Sequence, residues 1–427
     1  MFEIPIRMER VLHRLKELAH CSAGKRGVTR LSFTSEFRQA GLLVRRWMKE
    51  AGMVVRVDAL GNIIGHYPHH RRGGPAFLIG SHLDSVMEGG AFDGTLGVVA
   101  ALEVVQALSE SGVQTALPLE VVVFCDEEGA RFHTTLLGSR AMAGTLLGED
   151  LNARDARGIT LADALREFGL DPLAFRSAKR DPEQIAGYME LHIEQGPILE
   201  DEHLPCGVVS GIAGAVRGRF QVEGLAGHAG TVPMDARRDA LVGAAEIILA
   251  VDEAARESPS TVATVGNLQV FPGSSNVIPG RVEGTLDVRS LDDEERRRVF
   301  RQICQRAEGI AENGSLSFCC EVVLDTPAVE CSPRLMAAAA EAITHHGYPP
   351  LFIPSGAGHD ALAMADLTEV GMIFVRCRGG VSHHPEEYVE PEDIEIGVSV
   401  FLEAVLRAMD SHPKAGSTGQ TEEAEVP

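Results

Sequence analysis

The chain has 427 residues, which is enough for two domains, and its 44% hydrophobic and 23% charged residues are typical of a globular protein. The formal net charge of −22 argues against nucleic acid as a partner, because a phosphate backbone binds to a basic face. No apolar run approaches the ~20 residues that cross a bilayer, and the eight cysteines contain no C-x-x-C pair. We therefore expect a cytoplasmic protein with reduced thiols that binds neither nucleic acid nor membrane.

Strands and helices alternate along the first part of the chain. Apolar residues that recur with a helical or an alternating period mark each element. The predicted helices cover 12–18, 35–51 and 95–108, and the predicted strands cover 54–58, 62–67, 76–83 and 117–125. Helix 95–108 is apolar on nearly every face, so we expect it to be buried. The alternation predicts an α/β sheet with its chemistry at the carboxyl ends of the strands.

Residues 211–327 follow a different pattern, which predicts a second domain inserted into the first. Its elements are a strand at 215–223, a helix at 236–256, strands at 263–270 and 281–288, a helix at 292–312 and a strand at 316–324. This βαββαβ order is the ferredoxin-like arrangement.

The larger domain then comprises 1–210 and 328–410. Its later elements are a helix at 333–346, a loop at 355–360, a strand at 372–377 and a helix at 391–409. The polar, acidic stretch 411–427 is predicted to be a disordered tail.

Two polar clusters follow predicted strands of the larger domain. His82 lies at the end of the predicted strand 76–83, Asp84 directly follows that strand, and Asp93 lies in the glycine-rich turn beyond it. Imidazole and carboxylate together suit Zn, Mn, Ni or Fe, although Asp and Gly are also common in ordinary turns. Glu127 and Glu128 stand directly after the apolar strand at 117–125. A solvated acidic turn would explain them, but beside a metal one Glu can ligate while its neighbour acts as a general base.

Two further histidine clusters are candidate ligands. Glu190, His192 and Glu194 alternate with apolar residues, which places them on one face of a predicted strand. A single histidine there would more often be structural, but together with the other clusters His192 is favoured as a ligand. His383 and His384 are adjacent and point in different directions, so at most one is expected to join a given metal.

Three polar residues of the inserted segment are candidates for substrate contact. His228 follows a strand within a loop, Asn276 lies in a turn, and Arg289 ends the strand at 281–288. Arg289 could bind a carboxylate in bidentate fashion, although each of the three, taken alone, fits an ordinary turn or surface position.

Taken together, the motifs resemble the hydantoinase/carbamoylase branch of the metallopeptidase-like amidohydrolases, from about residue 30 to 409. They occur in family order and are GSHLDSV, GGAFDGTLGV, DEEGARF, LHIEQGP, GHAGTVPM, SSNVIPG, SGAGHDA and GVSHHPEE. The resemblance implies an α/β catalytic domain with a mixed sheet, of the di-zinc exopeptidase kind. It also implies that the inserted ferredoxin-like domain forms a homodimer interface.

The resemblance also implies a role for each candidate residue. Two divalent ions, Zn or Mn with Ni or Co as alternatives, would be bound by His82, Asp93, Glu128, His192 and His383, with Asp93 bridging. Glu127 would be the general base, Asp84 would orient His82, and His228 would stabilise the oxyanion. Substrate contacts are implied for Gln195, His228, Asn276, Arg289 and Gly358, with His359 and Asp360 beside the site. Arg289 would serve the neighbouring subunit's site.

The implied reaction is hydrolysis of a ureido or carbamoyl C–N bond in a small anionic substrate. Allantoate is the first expectation, because DEEG, Thr134–Ser139 and Phe374–Gly380 look like the allantoate amidohydrolases. An N-carbamoyl-L-amino-acid hydrolase or a β-ureidopropionase is the alternative, and a dipeptidase or aminoacylase of the same superfamily is a more remote one. A non-catalytic binding protein is disfavoured because every ligand position is filled.

Overall fold

A computed structural model describes residues 4–413 of the chain. The chain divides into two compact units. The first unit comprises the chain up to Val209, Cys331–Ile353 and the chain from His359 onward, and the second comprises Ser210–Glu330 and Pro354–Gly358. The predicted tail, 411–427, lies outside the described residues beyond position 413. No helix within residues 4–413 is long and apolar enough to cross a membrane.

The strands are numbered in chain order. They are β1 Val54–Val57, β2 Ile63–Tyr67, β3 Ala76–His82, β4 Leu119–Phe124, β5 Ile185–Ile193, β6 Cys206–Ile212, β7 Gly214–Glu223, β8 Gly227–His228, β9 Thr261–Phe271, β10 Val277–Ile278, β11 Arg281–Ser290, β12 Ser317–Thr326, β13 Val329–Glu330, β14 Phe352–Ser355 and β15 Val370–Val375. The helices are α1 Met8–His20, α2 Ser35–Glu50, α3 Thr95–Glu110, α4 Leu137–Ala143, α5 Leu161–Phe168, α6 Ile198–Asp201, α7 Ala240–Arg256, α8 Asp293–Asn313, α9 Pro333–His345, α10 Asp360–Met364 and α11 Pro391–Asp410.

The larger sheet of the chain is mixed. Its strands run in the order β1-β2-β4-β3-β5-β15-β6-β13, and β14 also pairs with β6. The four central strands, β4, β3, β5 and β15, are parallel, whereas β2 and β6 flank them in antiparallel pairing. Every residue of these four central strands is buried. Burial on both faces is typical of parallel strands that helices cover, and the mixed α/β fold is as predicted.

Helix α3 is buried along almost its whole length. From Thr95 to Leu108 every residue is buried, which confirms the prediction made from its apolar sequence. Helix α2 begins where the Thr34 side chain accepts a hydrogen bond from the Phe37 N–H, so a threonine N-cap sets its first turn.

The second unit is built on a four-stranded antiparallel sheet in the order β12-β7-β11-β9. Burial alternates residue by residue along β7 and β11, so one face of this sheet is covered and the other is open. Helices α7 and α8 supply the cover, with Val251 and Phe300 packed against strand residues such as Val216 and Val288. The elements follow the chain order β7-α7-β9-β11-α8-β12.

Several element bounds differ from the predicted ones. Helix α7 begins at Ala240, four residues later than expected, because Met234–Ala236 form a separate 3-10 turn. The Asp239 carboxylate then accepts from the Leu241 and Val242 N–H groups and starts the helix. Strand β5 begins at Ile185, and neither α4 nor β6 was predicted.

Candidate metal centre

Polar side chains extend from the carboxyl ends of the four parallel strands. His82 is the last residue of β3, Glu127 and Glu128 follow β4, and His192 lies near the end of β5. His383 belongs to the segment that follows β15. Because β4, β3, β5 and β15 are neighbours and parallel, their carboxyl ends meet at one edge of the sheet. The topology therefore brings together side chains from four segments that are distant along the chain.

Asp93 lies between three imidazoles. Its Oδ1 is 3.3 Å from His82 Nε2 and 3.2 Å from His192 Nε2, and its Oδ2 is 3.2 Å from His383 Nε2. His383 Nε2 is also 3.6 Å from Glu128 Oε2. Two potential ligand groups, His82-Asp93-His192 and Asp93-Glu128-His383, therefore share the Asp93 carboxylate.

Glu127 and Glu128 form a further group with His82. Potential ligand atoms of the three side chains lie within 4.8 Å of one another, and Glu127 Oε2 is 4.0 Å from His82 Nε2. Among the described residues, no group donates a hydrogen bond to the buried Glu128 Oε1. A buried carboxylate oxygen with no donor is unusual in a protein interior, and a cation would satisfy it.

Three residues hold Asp93 in place, and two of them were not among the predicted site residues. Gln195 Nε2 donates to Asp93 Oδ2 at 2.7 Å, and Ser382 Oγ lies 2.9 Å from the same oxygen. Glu387 Oε1 accepts from the backbone N–H groups of Phe92 at 2.8 Å and Asp93 at 3.0 Å. Ser382 and Glu387 stand in the motif GVSHHPEE, but only the folded chain brings them to Asp93.

Gly94 allows the histidines to approach the turn closely. It adopts a left-handed φ of 63°, and its N–H donates to His192 Nε2 at 3.2 Å. A Cβ at this position would lie 2.3 Å from His82 Cε1. Both the backbone angle and the missing side chain therefore require glycine here.

Asp84 contacts the turn after β4 more closely than it contacts the ring of His82. Its carboxylate oxygens accept the backbone N–H groups of Glu127 at 3.0 Å and Glu128 at 3.2 Å. The nearest contact of His82 Nδ1 is instead the Asp84 backbone carbonyl at 3.2 Å, while Asp84 Oδ1 is 3.6 Å away. A distance of 3.6 Å is too long for a hydrogen bond, so the side chain mainly positions the turn that carries the two glutamates.

Buried negative charge dominates the electrostatics of this region. Burial and the nearby Glu128 and Asp360 carboxylates raise the pKa of Glu127 well above its usual value. Burial and the Asp93 carboxylate raise the pKa of Glu128 to about 7. Burial would also raise the pKa of Asp93, but hydrogen bonds from the surrounding imidazoles outweigh it and hold that pKa well below its usual value.

The imidazoles respond to the same charge in the opposite direction. The Asp93 carboxylate raises the pKa of His383 to about 9. Burial lowers the pKa of His82, yet Asp84 and Asp93 together raise it well above its usual value. Imidazoles and carboxylates arranged this way attract cations, and a divalent metal ion would compete with the protons they hold. Nitrogen and oxygen ligands together fit Zn or Mn.

His359 and Glu190 lie behind His192. The His359 ring is buried and meets the His192 ring edge to face, with centroids 4.5 Å apart. Burial and the charge of His192 hold the pKa of His359 well below its usual value, which favours the neutral imidazole. Glu190 accepts hydrogen bonds from Ser81 Oγ at 2.7 Å and from the Ala361 N–H at 3.2 Å. His384 is exposed, and its Nδ1 accepts from the Glu386 N–H.

The remaining candidates belong to the second unit. His228 is exposed on β8, whose partner strand β10 begins directly after Asn276, and the Ala229 N–H donates to the Asn276 carbonyl at 3.0 Å. Arg289 donates from Nε at 2.7 Å and from Nη2 at 3.1 Å to Asp287. Its Nη1 donates to the Gly356 carbonyl at 2.8 Å, and Gly358 follows, exposed, two residues later.

A mixed α/β sheet with imidazoles and carboxylates at its carboxyl edge offers a candidate site for metal-dependent chemistry. The model of peptidase family M20/M25/M40 matches residues 78–407, and the chain belongs to this family. The N-carbamoyl-L-amino acid amidohydrolase of Geobacillus stearothermophilus is 49% identical, over 94% of this chain and 98% of the relative. Allantoate deiminase 1 of Glycine max is 40% identical, over 89% of this chain and 85% of that relative.

The solved structures extend the same family relation. A hydantoinase/carbamoylase family amidase from Burkholderia multivorans has a TM-score of 0.87 and 36% identity, over 95% of this chain and 99% of its own. The resemblance seen in the motifs is therefore confirmed. The protein is therefore a hydrolase of the metal-dependent family M20/M25/M40, and the two relatives described here are named as an amidohydrolase and a deiminase.

Proposed function

We propose that this enzyme removes the terminal carbamoyl group of N-carbamoyl-L-amino acids. The observation that carries the proposal is the Asp93 carboxylate shared by two potential ligand groups, with Glu127 beside them. The substrate class is supported by the relative of highest identity among those described above, at 49%. Hydrolysis consumes one water and releases the free amino acid, ammonia and carbon dioxide.

Allantoate is the second candidate substrate. It is itself an N-carbamoyl amino acid, because its central carbon carries a carboxylate and two ureido groups. A pocket that binds the carboxylate and one ureido group therefore accepts both kinds of substrate. The two differ only in the group at the amino acid's side-chain position, which in allantoate is the second ureido group. The run Phe374–Gly380 and the 40% identity to an allantoate deiminase favour this candidate.

We assign two divalent ions, Zn or Mn with Ni or Co as alternatives, to the metal centre. His82, Asp93, Glu128, His192 and His383 would hold them, with Asp93 shared. Bound there, such ions would polarise the carbamoyl carbonyl and lower the pKa of the attacking water.

The chain's own residues would move the protons. Glu127 accepts a proton from the attacking water and later donates it to the leaving nitrogen. Its buried position beside the potential ligand groups suits a group that must hold this proton between the two steps. Gln195, Ser382 and Glu387 keep Asp93 oriented throughout.

The substrate contacts are proposed from the family pattern. Arg289 would bind the substrate carboxylate, and His228 would stabilise the oxyanion. Further contacts are proposed for Gln195, Asn276, Gly358 and His359. His359, with its lowered pKa, offers a neutral ring next to His192.

The second unit is proposed to be a ferredoxin-like dimerisation domain, corresponding to the predicted insert 211–327. Its βαββαβ order and its sheet face without helix cover support this assignment. In the proposed homodimer Arg289 serves the neighbouring subunit's site. We also propose a cytoplasmic location, since all eight cysteines carry free thiols.

Ammonia release from metal-loaded enzyme tests the function. The substrates to compare are several N-carbamoyl-L-amino acids with their D-isomers, allantoate, N-carbamoyl-β-alanine and an L-dipeptide, with Glu127→Gln as the matched inactive control. We expect the highest kcat/KM for an N-carbamoyl-L-amino acid. A higher value for allantoate would select the second candidate, and a higher value for N-carbamoyl-β-alanine would indicate a β-ureidopropionase. Cleavage of the dipeptide without ammonia from any ureido compound would overturn the proposal.

A further inference from the structure

Two adjacent histidines at the end of α9 meet one glutamate of α11. His345 Nδ1 lies 2.8 Å and His346 Nε2 lies 3.4 Å from the same oxygen, Glu403 Oε2. Neighbouring residues inside a helix point in different directions and do not face a common partner. Here α9 ends at His345, and His346 lies just beyond it with φ −80° and ψ 5°. The end of the helix therefore lets both rings reach one carboxylate.

The glutamate is held in position for this contact. Its side chain is only 7% exposed, and its other oxygen, Oε1, accepts from Arg407 Nε at 2.8 Å. Arg407 is fixed in turn by Glu341 at 2.7 Å. Hydrogen bonds from Arg407 and His345 outweigh burial and hold the pKa of Glu403 below its usual value. Glu403 is therefore ionised at neutral pH, with Oε2 directed at the two rings.

We propose that His345 Nδ1, His346 Nε2 and Glu403 Oε2 form a second kind of metal site, which binds a late first-row divalent ion such as Zn, Ni or Cu. These three atoms lie within 4.8 Å of one another. Two imidazoles and one carboxylate are a ligand set that such ions prefer, and Arg407 is the outer partner that orients the carboxylate. The side chains of His345 and His346 are 63% and 30% exposed, which leaves the remaining coordination positions open to water.

This site shares no residue with the metal centre and is expected to bind metal more weakly. Mn lies at the low end of the affinity order of divalent ions, whereas Zn, Ni and Cu lie at the high end, so a weak site should retain Zn, Ni or Cu but not Mn. The positive charge of Arg407 opposes a cation, so binding here should be weaker than at the buried centre. A bound ion would connect the C-terminal end of α9 to α11 and stabilise the folded chain.

Hydrogen bonding without any metal is the alternative explanation for the contact of His345 and His346 with Glu403. Histidines near a helix C-terminus interact favourably with the helix dipole, and both rings can bind Glu403 without any metal. The two explanations differ in one measurable respect, because only a metal site makes the contribution of these histidines depend on the divalent ion present.

Metal counting on the full chain tests the proposal. Chelated wild-type and His346→Ala proteins are dialysed against excess ZnCl₂ or MnCl₂, and the metal per chain is measured by elemental analysis. We expect the variant to retain one zinc fewer than the wild type and the same amount of manganese. His13→Ala is the matched control, because His13 is exposed and faces one glutamate, Glu17, at 3.4 Å. This control should retain as much zinc as the wild type.

Thermal unfolding gives a second readout. Zinc added to manganese-loaded protein should raise the Tm of the wild type and of His13→Ala, and raise it less in His346→Ala. His345→Ala, which removes the more exposed ring, should behave in the same way. This second variant keeps the test decisive if His346→Ala folds poorly. Equal zinc counts and equal Tm shifts in all four proteins would overturn the proposal. Because the test measures differences between variants, it does not depend on the number of ions in the metal centre or on the substrate.

Discussion

The candidate metal centre and the residues of the second unit proposed to contact substrate are built differently. In the metal centre, His82, Asp93 and His192 are all less than a tenth exposed, and each is held by two or more neighbours. In the second unit, His228 and Asn276 are exposed on short strands and turns, and Arg289 is held mainly by a single carboxylate, Asp287.

This difference indicates which kinetic parameter each region should control. Groups that many buried contacts fix in place suit chemistry, because a small displacement there costs rate. Exposed groups with few partners suit recognition, where a changed contact alters binding more than the chemical step. We therefore expect substitutions in the metal centre to lower kcat, and substitutions near Arg289 to raise KM.

Removal of metal should have the largest effect. The carboxylates and imidazoles around Asp93 would hold the ions that polarise the carbonyl and activate the water, so chelation should abolish turnover. Stepwise addition of Mn or Zn, with activity and bound metal measured together, should restore it only after two equivalents occupy the metal centre. Full activity at one equivalent there would contradict the two-metal assignment.

Glu127→Gln should produce the next largest loss. The amide keeps the size of the side chain but cannot accept the proton, and loss of a general base typically costs about 10²–10⁴-fold in rate. Metal content and substrate Kd should remain near wild type. Glu88→Gln, at an exposed position in the turn before Asp93, is a control that should leave kcat unchanged. Turnover of Glu127→Gln near the wild-type rate would exclude Glu127 as the base.

The sequence predicts much of the fold, because the central strands and α3 are continuous apolar runs. The rule that polar residues follow the carboxyl ends of parallel strands indicates His82 and the pair Glu127 and Glu128. The start of β5 and the whole of β6 escaped prediction. Their burial depends on neighbouring strands such as β15, which comes more than 150 residues later in the chain.

The contacts that orient the centre could not be predicted from local sequence. Glu387 binds the Asp93 N–H across 294 residues of chain, and no local pattern indicates that contact. Asp84 is a residue of the expected type at the expected position, yet its carboxylate accepts N–H groups from the turn after β4 rather than the ring of His82. Spacing along one strand cannot reveal which neighbouring strand supplies the donors.

Arg289→Ala should raise KM for carboxylate-bearing substrates and leave metal content unchanged. Loss of one partner of a charge-assisted pair costs roughly 2–5 kcal/mol when the pair is desolvated. The Arg289 side chain is 28% exposed, so we expect the lower end of this range. Arg289→Lys keeps the positive charge but cannot form the bidentate hydrogen bonds of a guanidinium, so it should recover only part of the affinity for the substrate carboxylate. A fall in kcat at unchanged KM would contradict a binding role.

Mixed subunits test whether Arg289 acts across a dimer. Arg289→Ala and Glu127→Gln chains, each with low activity, should regain activity when their subunits are exchanged, because a mixed dimer holds one site with both native residues. The control is each variant taken alone through the same subunit-exchange procedure. No recovery after demonstrated subunit exchange would mean that each chain completes its own site.

Asp287→Asn should have the smallest effect and tests how Arg289 is positioned. Asp287 accepts from Arg289 through both oxygens and from Arg217 Nε at 2.8 Å, and these bonds hold the pKa of Asp287 below its usual value despite burial. Asparagine keeps the size and one acceptor but loses the charge and the second acceptor. The Arg289 charge itself remains, so the loss should be that of one hydrogen bond, about 1 kcal/mol or roughly fivefold in KM.

The matched control for this substitution is Asp252→Asn. Asp252 also accepts from an arginine, Arg256, at 2.7 Å within the second unit, but both side chains are exposed on α7. This pair should contribute little, so KM and kcat should stay at wild-type values. If Asp287→Asn raises KM no more than Asp252→Asn does, Asp287 does not position Arg289 for the substrate. If Asp287→Asn instead lowers kcat as strongly as Glu127→Gln does, then a residue far in sequence from every candidate ligand controls the chemical step. The division into one region for chemistry and another for recognition would then be wrong.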